Sequence, residues 1–466
     1  MEHPRAYQGR QVVVLGLARS GVAVAKLLHQ FGAVVTVNDK KERKECPEAD
    51  ELEALGIFVI CGGHPDNLIH QDVALVVKNP GIPYSVPPVA RALELGIEVV
   101  TEVEVAYWIS KAPIIGITGS NGKTTTTTWA YRMLQRSGIS AIIAGNIGRA
   151  LTEAAIEAKE GDWLVAELSS FQLKGTAAFR PRIAALLNLA ETHLDYHGTM
   201  EDYSASKRKL FANQTAEDTA VLNADHPVTE ALAAGGELKA KIMRFSRKQK
   251  LTYGVYSDPD TCVLYYADGS GGVHRLVHEE ELSIPGKHNV ENALAAAALA
   301  IASGAAISAI IEELKEFRGV EHRLEFVREL DGVLYYNNSK ATNATATIKA
   351  VESFQAPIVL IAGGLDRGAE YEDLIPYFRT GVKALVALGQ TRHKLEKAAK
   401  QAGLNTVKVV DTVENAEAAI AEAVSAAFDF AEQGDVVLLA PACASWDMFP
   451  SYEERGRMFK KSVHNL

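Results

Sequence analysis

The sequence predicts an α/β protein of three domains: a Rossmann-like N-terminal domain, a central P-loop ATPase-like domain on a parallel sheet, and a Rossmann-like C-terminal domain. Three observations predict it. Apolar runs of strand length alternate with helical stretches along most of the chain, which implies parallel sheets covered on both faces. Glycine-rich turns follow several of those runs, where open parallel sheets bind their ligands. The 466 residues, 47% hydrophobic and 23% charged, are too many for one ordinary core but have a globular composition. The expected domains are residues 1–103, 104–319 and 320–466.

The first apolar run, residues 11–15, feeds GLARSG at 16–21, a helical pattern through Val22, Leu27 and Leu28, and a second run at 34–37 that closes on Asp39. This is the outline of a dinucleotide fingerprint, but Ala18 stands in place of the second glycine. A nicotinamide cofactor, or another nucleotide whose ribose or base faces Asp39, both stay open. A short strand at 73–77 ends in KNPGIP. Central strands are expected at 114–117, 139–144, 163–166 and 183–189. Residues 240–285, with polar turns such as 265–272, read as an antiparallel insertion. Residues 293–311 approach a membrane-span length but are broken by Ser303, Gly304 and Ser308, so two short core helices are expected. After EFRGVEHR, 316–323, the alternation resumes with strands near 333–336, 358–362, 384–388 and 436–439.

The most informative stretch is GSNGKTT, residues 119–125, which follows an apolar strand and opens a helix. Gly119, Ser120, Asn121 and Gly122 let backbone N–H groups approach an anion, and the helix dipole favours its charge. Lys123 would reach the outer phosphates of ATP and Thr124, followed by Thr125, would ligate its magnesium. The spacing is not that of a full Walker A motif, because Ile117 occupies the position five before Gly122. The plainer alternative is a turn that merely contains GKT. Glu167, directly after WLVA, stands where a P-loop enzyme places a second magnesium ligand; the plainer alternative is a helix N-cap acid. His193 and Asp195 share the next strand-end loop, as a metal site or a structural pair. Lys207 lies in EDYSASKRKLF, where three cations in four residues ordinarily mark a solvated helix face. In the third domain Lys340, Arg367 and Ser445 end separate strands and could together hold a small carboxylate substrate, although each alone reads as a loop residue.

The formal charge of −10 argues against a dedicated nucleic-acid binder. Four scattered cysteines with no CxxC pair, and an N-terminal segment without a long apolar core, lead to the expectation of a cytoplasmic protein with no membrane span.

In this order the motifs resemble the Mur ligases, most closely the branch that adds D-glutamate to UDP-N-acetylmuramoyl-L-alanine in bacterial cell-wall synthesis. GLARSG and NPGIP carry the resemblance in the first domain. GSNGKTT, GNIG, ELSSFQL, HLDYHG and GKHNVENA carry it in the second, and EHR, NNSKATN, AGGLDRG, PACASWDMF and YEERG in the third. The resemblance implies ATP-dependent amide synthesis through an acyl phosphate, with magnesium, in a cytoplasmic monomer. Another ligase of the same family, adding a different amino acid or extending a folate, is the nearest alternative. A nucleotide-binding module without ligation is the more distant one.

Carried over position by position, the resemblance implies that Thr124 and Glu167 serve the nucleotide magnesium and His193 a second one. Lys207 would be carbamylated and help organise that second metal. Asn146 and His193 would face the acyl group, and Asn289, Asn292, Arg323 and Asn338 the adenosine. Lys340 would support the reacting phosphate or D-glutamate. Thr342 and Arg367 would hold its α-carboxylate, Ser445 and Tyr452 its side-chain carboxylate. Arg19, Ser20, Asp39 and Lys40 would meet the uridine diphosphate. Four positions depart from the commonest family pattern: Asn338 for aspartate, Arg367 for lysine, Thr192 for Asp or Asn, and Tyr196 for arginine.

Overall fold

The computed structural model describes residues 3–412 and 415–466. Strands β1 (Gln11–Leu15), β2 (Val34–Asp39), β3 (Phe58–Cys61), β4 (Val73–Lys78) and β5 (Val99–Val100) form a parallel sheet in the order β3-β2-β1-β4-β5. That is the strand order of a Rossmann half. Val12 and Val14 face one core with Val35, Val37, Leu75 and Val77, while Val13, Leu15 and Val76 face another. Burial on both faces is why these strands read as unbroken apolar runs.

The second sheet contains β6 (Ile114–Thr118), β7 (Ala141–Gly145), β8 (Trp163–Glu167), β9 (Ile183–Leu186), β10 (Thr219–Asn223), β11 (Lys241–Ser246), β12 (Tyr253–Ser257), β13 (Val263–Asp268) and β14 (Val273–His278). Its order is β14-β13-β12-β11-β10-β9-β6-β8-β7. From β6 the chain runs to one side for β7 and β8, then crosses to the other for β9 and β10. The reversal opens a crevice at the carboxyl end of β6. The expected antiparallel insertion is corrected in extent. Only β13 runs against the others, pairing antiparallel with β12 and β14, while β11 and β12 continue the parallel ladder, and all four extend the same sheet.

The third sheet comprises β15 (Glu325–Leu330), β16 (Val333–Asn337), β17 (Ile358–Gly363), β18 (Val382–Leu388), β19 (Val407–Val409) and β20 (Val436–Leu439), in the order β15-β16-β20-β17-β18-β19. β15 is an antiparallel edge, and the last strand in sequence, β20, lies between β16 and β17. Alternate residues again feed two cores. Met1–Glu279 with Glu291–Leu314 form one compact unit, which holds the first two sheets; Glu280–Val290 with Lys315–Leu466 form a second, which holds the third. Among the described residues no helix is long and apolar enough to cross a membrane.

The helix Glu102–Ile109 joins the first two sheets by entering both cores: Val105 and Trp108 pack into the first, Val103 and Ala106 into the second. Its acids are buried as backbone acceptors. Glu104 takes N–H donors from Ala177 (2.9 Å), Ala178 (2.8 Å), Phe179 (3.1 Å) and Trp108 Nε1 (3.1 Å). Glu102 accepts from the Thr152 N–H and, at 2.7 Å, its hydroxyl. Burial pushes the Glu102 pKa up to about 7, against the ordinary 4.5. The folded state therefore binds the proton more tightly than the unfolded chain, so a stability cost accrues as pH rises from 4.5 to about 7 and stays constant above. We predict that Glu102→Gln raises the melting temperature at pH 8, by an amount equivalent to at most roughly 3 kcal/mol at 1.36 kcal/mol per pKa unit. Near pH 5 the gain should largely vanish in thermal unfolding; an equal gain at both pH values would contradict this account.

Candidate active site

At the carboxyl end of β6 the chain turns through Gly119–Gly122 into the helix Lys123–Arg136. Gly122 has φ +81°, and a Cβ there would run into Asn292 Oδ1. The loop is braced from β9: Ser120 N–H donates to Asn188 O (3.0 Å), Asn121 N–H donates to Asn188 Oδ1 (2.9 Å), and Asn188 Nδ2 donates back to Asn121 O (3.2 Å). Ser120 Oγ meets Tyr203 OH at 2.8 Å and accepts from Ala190 N–H at 2.8 Å. Lys123 Nζ folds over its own loop, donating to Gly119 O (2.8 Å) and Ser120 O (3.0 Å). Thr124 is buried in the first helical turn, with Thr125 beside it, and Asn292 accepts from Thr126 Oγ1 at 3.4 Å. These are the parts of a phosphate cradle: spaced N–H groups, a helix N-terminus and a lysine.

Lys207 is not on a solvated face. Its helix, Met200–Arg208, turns it inward to 1% exposure, where Nζ donates to Gly119 O (2.9 Å) and Thr118 Oγ1 (3.2 Å) and lies 4.8 Å over the Tyr203 ring. Burial, aided by the charge of Lys123, holds its pKa well below the ordinary lysine value. Glu167, at the end of β8, is 2% exposed; its Oε1 accepts from Asn146 Nδ2 at 2.9 Å, while the buried Oε2 has no hydrogen-bond partner. A buried carboxylate oxygen in that state is a vacant donor for a cation. His193 sits in the left-handed region (φ +57°) at the head of a short helix, 5.0 Å from the Phe171 ring. Burial and Lys123 lower its pKa, which favours the neutral, metal-binding imidazole. Among the described residues no three His, Cys, Asp or Glu side chains form a ready cage. Magnesium does not need one, since one or two carboxylates and the substrate phosphates suffice.

In the first sheet, Gly16 has φ +99° and a Cβ on Gly21 would collide with Gly16 O, so the first and last glycines of GLARSG are required where they stand. Ala18, in extended conformation, caps the helix Arg19–Gln30, whose first turn carries Arg19 and Ser20. The Asp39 carboxylate accepts from Leu17 N–H (2.8 Å) and Lys41 N–H (3.0 Å), which braces the turn; Lys40 is exposed between them. Arg19 Nη1 donates to Gly148 O of the GNIG loop. One group here escaped the sequence reading. Lys78, at 1% exposure, donates to Pro80 O (3.1 Å), Ile82 O (2.9 Å) and Tyr196 OH (3.1 Å), joining KNPGIP to HLDYHG. Burial, aided by the charge of Lys174, lowers its pKa to about 7. Its only signal in sequence is a lysine at the end of an apolar strand.

The third sheet gathers its residues at the carboxyl ends of β16, β17 and β20. Lys340 Nζ lies 5.2 Å over the Tyr452 ring, which meets His322 edge-on. Arg367 lies 5.2 Å over the exposed ring of Trp446. Ser445 is buried and Thr342 exposed. Asn338 Oδ1 accepts from Leu324 N–H at 3.2 Å, beside the turn in which Arg323 bridges to Val320. Asn289, at the start of the helix Lys287–Ala302, donates from Nδ2 to Pro285 O at 2.5 Å. The sequence reading also passed over Arg455, fully buried beneath these loops, although it stands in the quoted YEERG.

Comparison with known proteins accounts for the arrangement. Residues 10–101 match the Mur ligase MurD-like N-terminal domain, 117–300 the Mur ligase middle domain, and 322–443 the Mur ligase glutamate ligase domain. A UDP-N-acetylmuramoylalanine–D-glutamate ligase of Geobacillus kaustophilus (strain HTA426) is 50% identical over 467 residues, covering 100% of both chains. One of Bacillus cereus (strain AH820) is 48% identical over 460 residues, 99% of this chain and 98% of its own. Among solved structures, UDP-N-acetylmuramate-alanine ligase MurC from Thermotoga maritima superposes with a TM-score of 0.58 at 19% identity, covering 98% of this chain and 99% of that one. MurF from Acinetobacter baumannii gives 0.57 at 17% identity over 86% and 92%. The distant structures speak for the fold alone. Relatives half identical from end to end, together with three successive domain matches, show that the chain belongs to the Mur ligase family.

Proposed function

We propose that this chain is an ATP-dependent ligase that adds D-glutamate to UDP-N-acetylmuramoyl-L-alanine in peptidoglycan precursor synthesis, acting as a cytoplasmic monomer. Its domains would be residues 1–103 for the uridine substrate, 104–319 for ATP and 320–466 for the amino acid. What carries the chemistry is the convergence of Lys123 and Lys207 on the Gly119 carbonyl beside the half-partnered Glu167. The choice of amine comes from the full-length relatives that bear that name.

In the reaction the substrate carboxylate attacks the γ-phosphorus of ATP, the bond to the ADP oxygen breaks, and an acyl phosphate forms. The D-glutamate amine then adds to the acyl carbon, loses a proton, and phosphate leaves as the amide closes. Lys123 would exchange two carbonyls for the transferring phosphoryl oxygens, a gain realised as charge develops there. Thr124 and Glu167 would hold the nucleotide's magnesium, His193 and Lys207 a second one, and a divalent cation there screens the repulsion between carboxylate and triphosphate. Asn146 would orient Glu167 and the acyl oxygen; Asn292, Asn289, Arg323 and Asn338 would line the adenosine. Arg19, Ser20, Asp39 and Lys40 would take the uridine diphosphate. Lys340, Thr342, Arg367, Ser445 and Tyr452 would take D-glutamate. Lys207 would be a carbamate: its neutral amine adds to carbon dioxide and releases one proton, so that a neutral group becomes an anion that would help hold the second magnesium.

Incubation with ATP, magnesium, UDP-N-acetylmuramoyl-L-alanine and a panel of amino acids should release phosphate in response to D-glutamate. A response only to another amino acid would move the chain to a different ligase. ATP binding without any joined product would leave a nucleotide module. Lys123→Ala should lower kcat on the order of a hundredfold or more, and near-normal turnover would remove Lys123 from the phosphate site.

Lys207→Ala should be severely impaired and partly restored by added formate or acetate; full activity without rescue would refute the carbamate. Because only the neutral amine adds carbon dioxide, the acid limb of the wild-type pH profile should move to lower pH when bicarbonate is raised. The rescued variant should show no such shift.

A further inference from the structure

The largest buried cation of the third sheet's unit lies below the proposed amino-acid site. Arg455, on the helix Tyr452–His464, is 0% exposed. Its Nε donates to Ser339 Oγ (3.0 Å), Nη2 to Ser339 O (2.8 Å) and Cys443 O (3.1 Å), and Nη1 to Gly363 O (3.4 Å). Ser339 and Cys443 lie in the loops that follow β16 and β20, and Gly363 ends β17, three strands adjacent in the sheet. Each precedes a proposed ligand of D-glutamate: Ser339 is followed by Lys340, Gly363 opens the loop of Arg367, and Cys443 stands two before Ser445.

The surroundings are built around this guanidinium. Ser339 Oγ, while accepting from Nε, donates to Tyr452 O at 2.8 Å, tying the helix start to the same loop. A Cβ on Gly456 would strike His322 Nδ1, so the glycine after Arg455 lets the helix approach the sheet. Carbonyls rather than carboxylates hold the group, and burial lowers its pKa to about 10. A buried charge of this kind is a poor source of stability compared with an apolar side chain of similar volume. What a planar fork with several donors does supply is fixed geometry among its acceptors.

We propose that Arg455 is the positioning residue of the amino-acid site, setting Lys340, Arg367 and Ser445 in register by holding the backbone of their three loops. The proposal rests on the functional reading above. Its test uses the full-length protein with Arg455→Lys and Arg455→Met, and steady-state kinetics in which D-glutamate, ATP and UDP-N-acetylmuramoyl-L-alanine are varied in turn. Misplacing a site by a fraction of an ångström acts on the substrate it holds, so Arg455→Met should raise the KM for D-glutamate by about tenfold or more. The other two KM values should stay within about twofold, as should acyl-phosphate formation trapped by hydroxylamine without D-glutamate. Arg455→Lys, which keeps the charge and loses the fork, should fall between. Should Arg455→Met not fold, Ser339→Ala removes one acceptor of the fork and should shift the same KM in the same direction by less. A lowered melting temperature with an unchanged D-glutamate KM, or a parallel rise in all three KM values, would overturn the assignment. If the wild-type protein does not turn over D-glutamate at all, it is the functional reading that fails.

Discussion

Two lysine nitrogens share one oxygen: Lys123 and Lys207 both donate to the Gly119 carbonyl, at 2.8 and 2.9 Å. Two ammonium ions on one neutral acceptor repel strongly wherever water is excluded, and burial together with the charge of Lys123 holds the pKa of Lys207 well below the ordinary lysine value. That constraint divides the labour of the central site. On the proposed reading Lys123, at the helix start, serves the phosphate, and Lys207, with its Nζ over the Tyr203 ring, serves the carbamate. The carbonyl is offered to both only because Gly122 takes a left-handed turn and Asn188 ties the loop from the neighbouring strand. Asn188 and Tyr203 are thus as necessary to the cradle as the motif residues.

What was legible in the sequence follows from what each signal depends on. The parallel sheets were legible because strands buried on both faces show as continuous apolar runs, and the cradle because glycines and a lysine at a strand end are local features. β3, β5, β10, β15 and β19 were missed: β5 and β19 are short and β15 is interrupted by charged residues, whereas the apolar runs of β3 and β10 stand in the sequence and were passed over. The extent of the antiparallel region was overread because polar turns around β11 and β12 look the same whichever way the next strand runs. Lys207 was illegible for another reason. Among Lys207, Arg208 and Lys209 only tertiary packing decides which points inward: Tyr203 lies one turn back on the same helix, but Thr118 and Gly119, which accept from Lys207, lie 89 and 88 positions away. Arg455 likewise has acceptors 12 to 116 positions away.

The departures at Asn338 and Arg367 look different once placed. Asn338 Oδ1 accepts from Leu324 N–H, beside His322 and Leu324 in left-handed conformations at φ +66° and +44°. Neutral amide and carboxylate both satisfy that donor, so the turn tolerates the loss of charge, although a ligand contacting the other side-chain atom meets an N–H instead of an oxygen. Arg367 stacks on Trp446, a contact in which a planar guanidinium is better than an ammonium. Arginine at 367 and tryptophan at 446 therefore belong together.

Both compact units obey a common electrostatic rule. Surface cations are matched to carboxylates, as in Arg43 with Glu53 at 2.7 Å or Lys383 with Asp435 at 2.6 Å. At the strand ends cations rest on backbone carbonyls instead: Lys78 on Pro80 and Ile82, Lys123 on Gly119 and Ser120, Arg19 on Gly148, and Arg455 on Ser339, Cys443 and Gly363. A carbonyl satisfies the donor without cancelling the charge, and in a dry site the uncancelled field is strong. The acids of this chain of net charge −10 lie on the surface, pair with cations as Asp218 does with Arg180 at 2.7 Å, or turn onto backbone N–H groups as Glu102 and Glu104 do between the first two cores, while Glu167 keeps one buried oxygen without a hydrogen-bond partner.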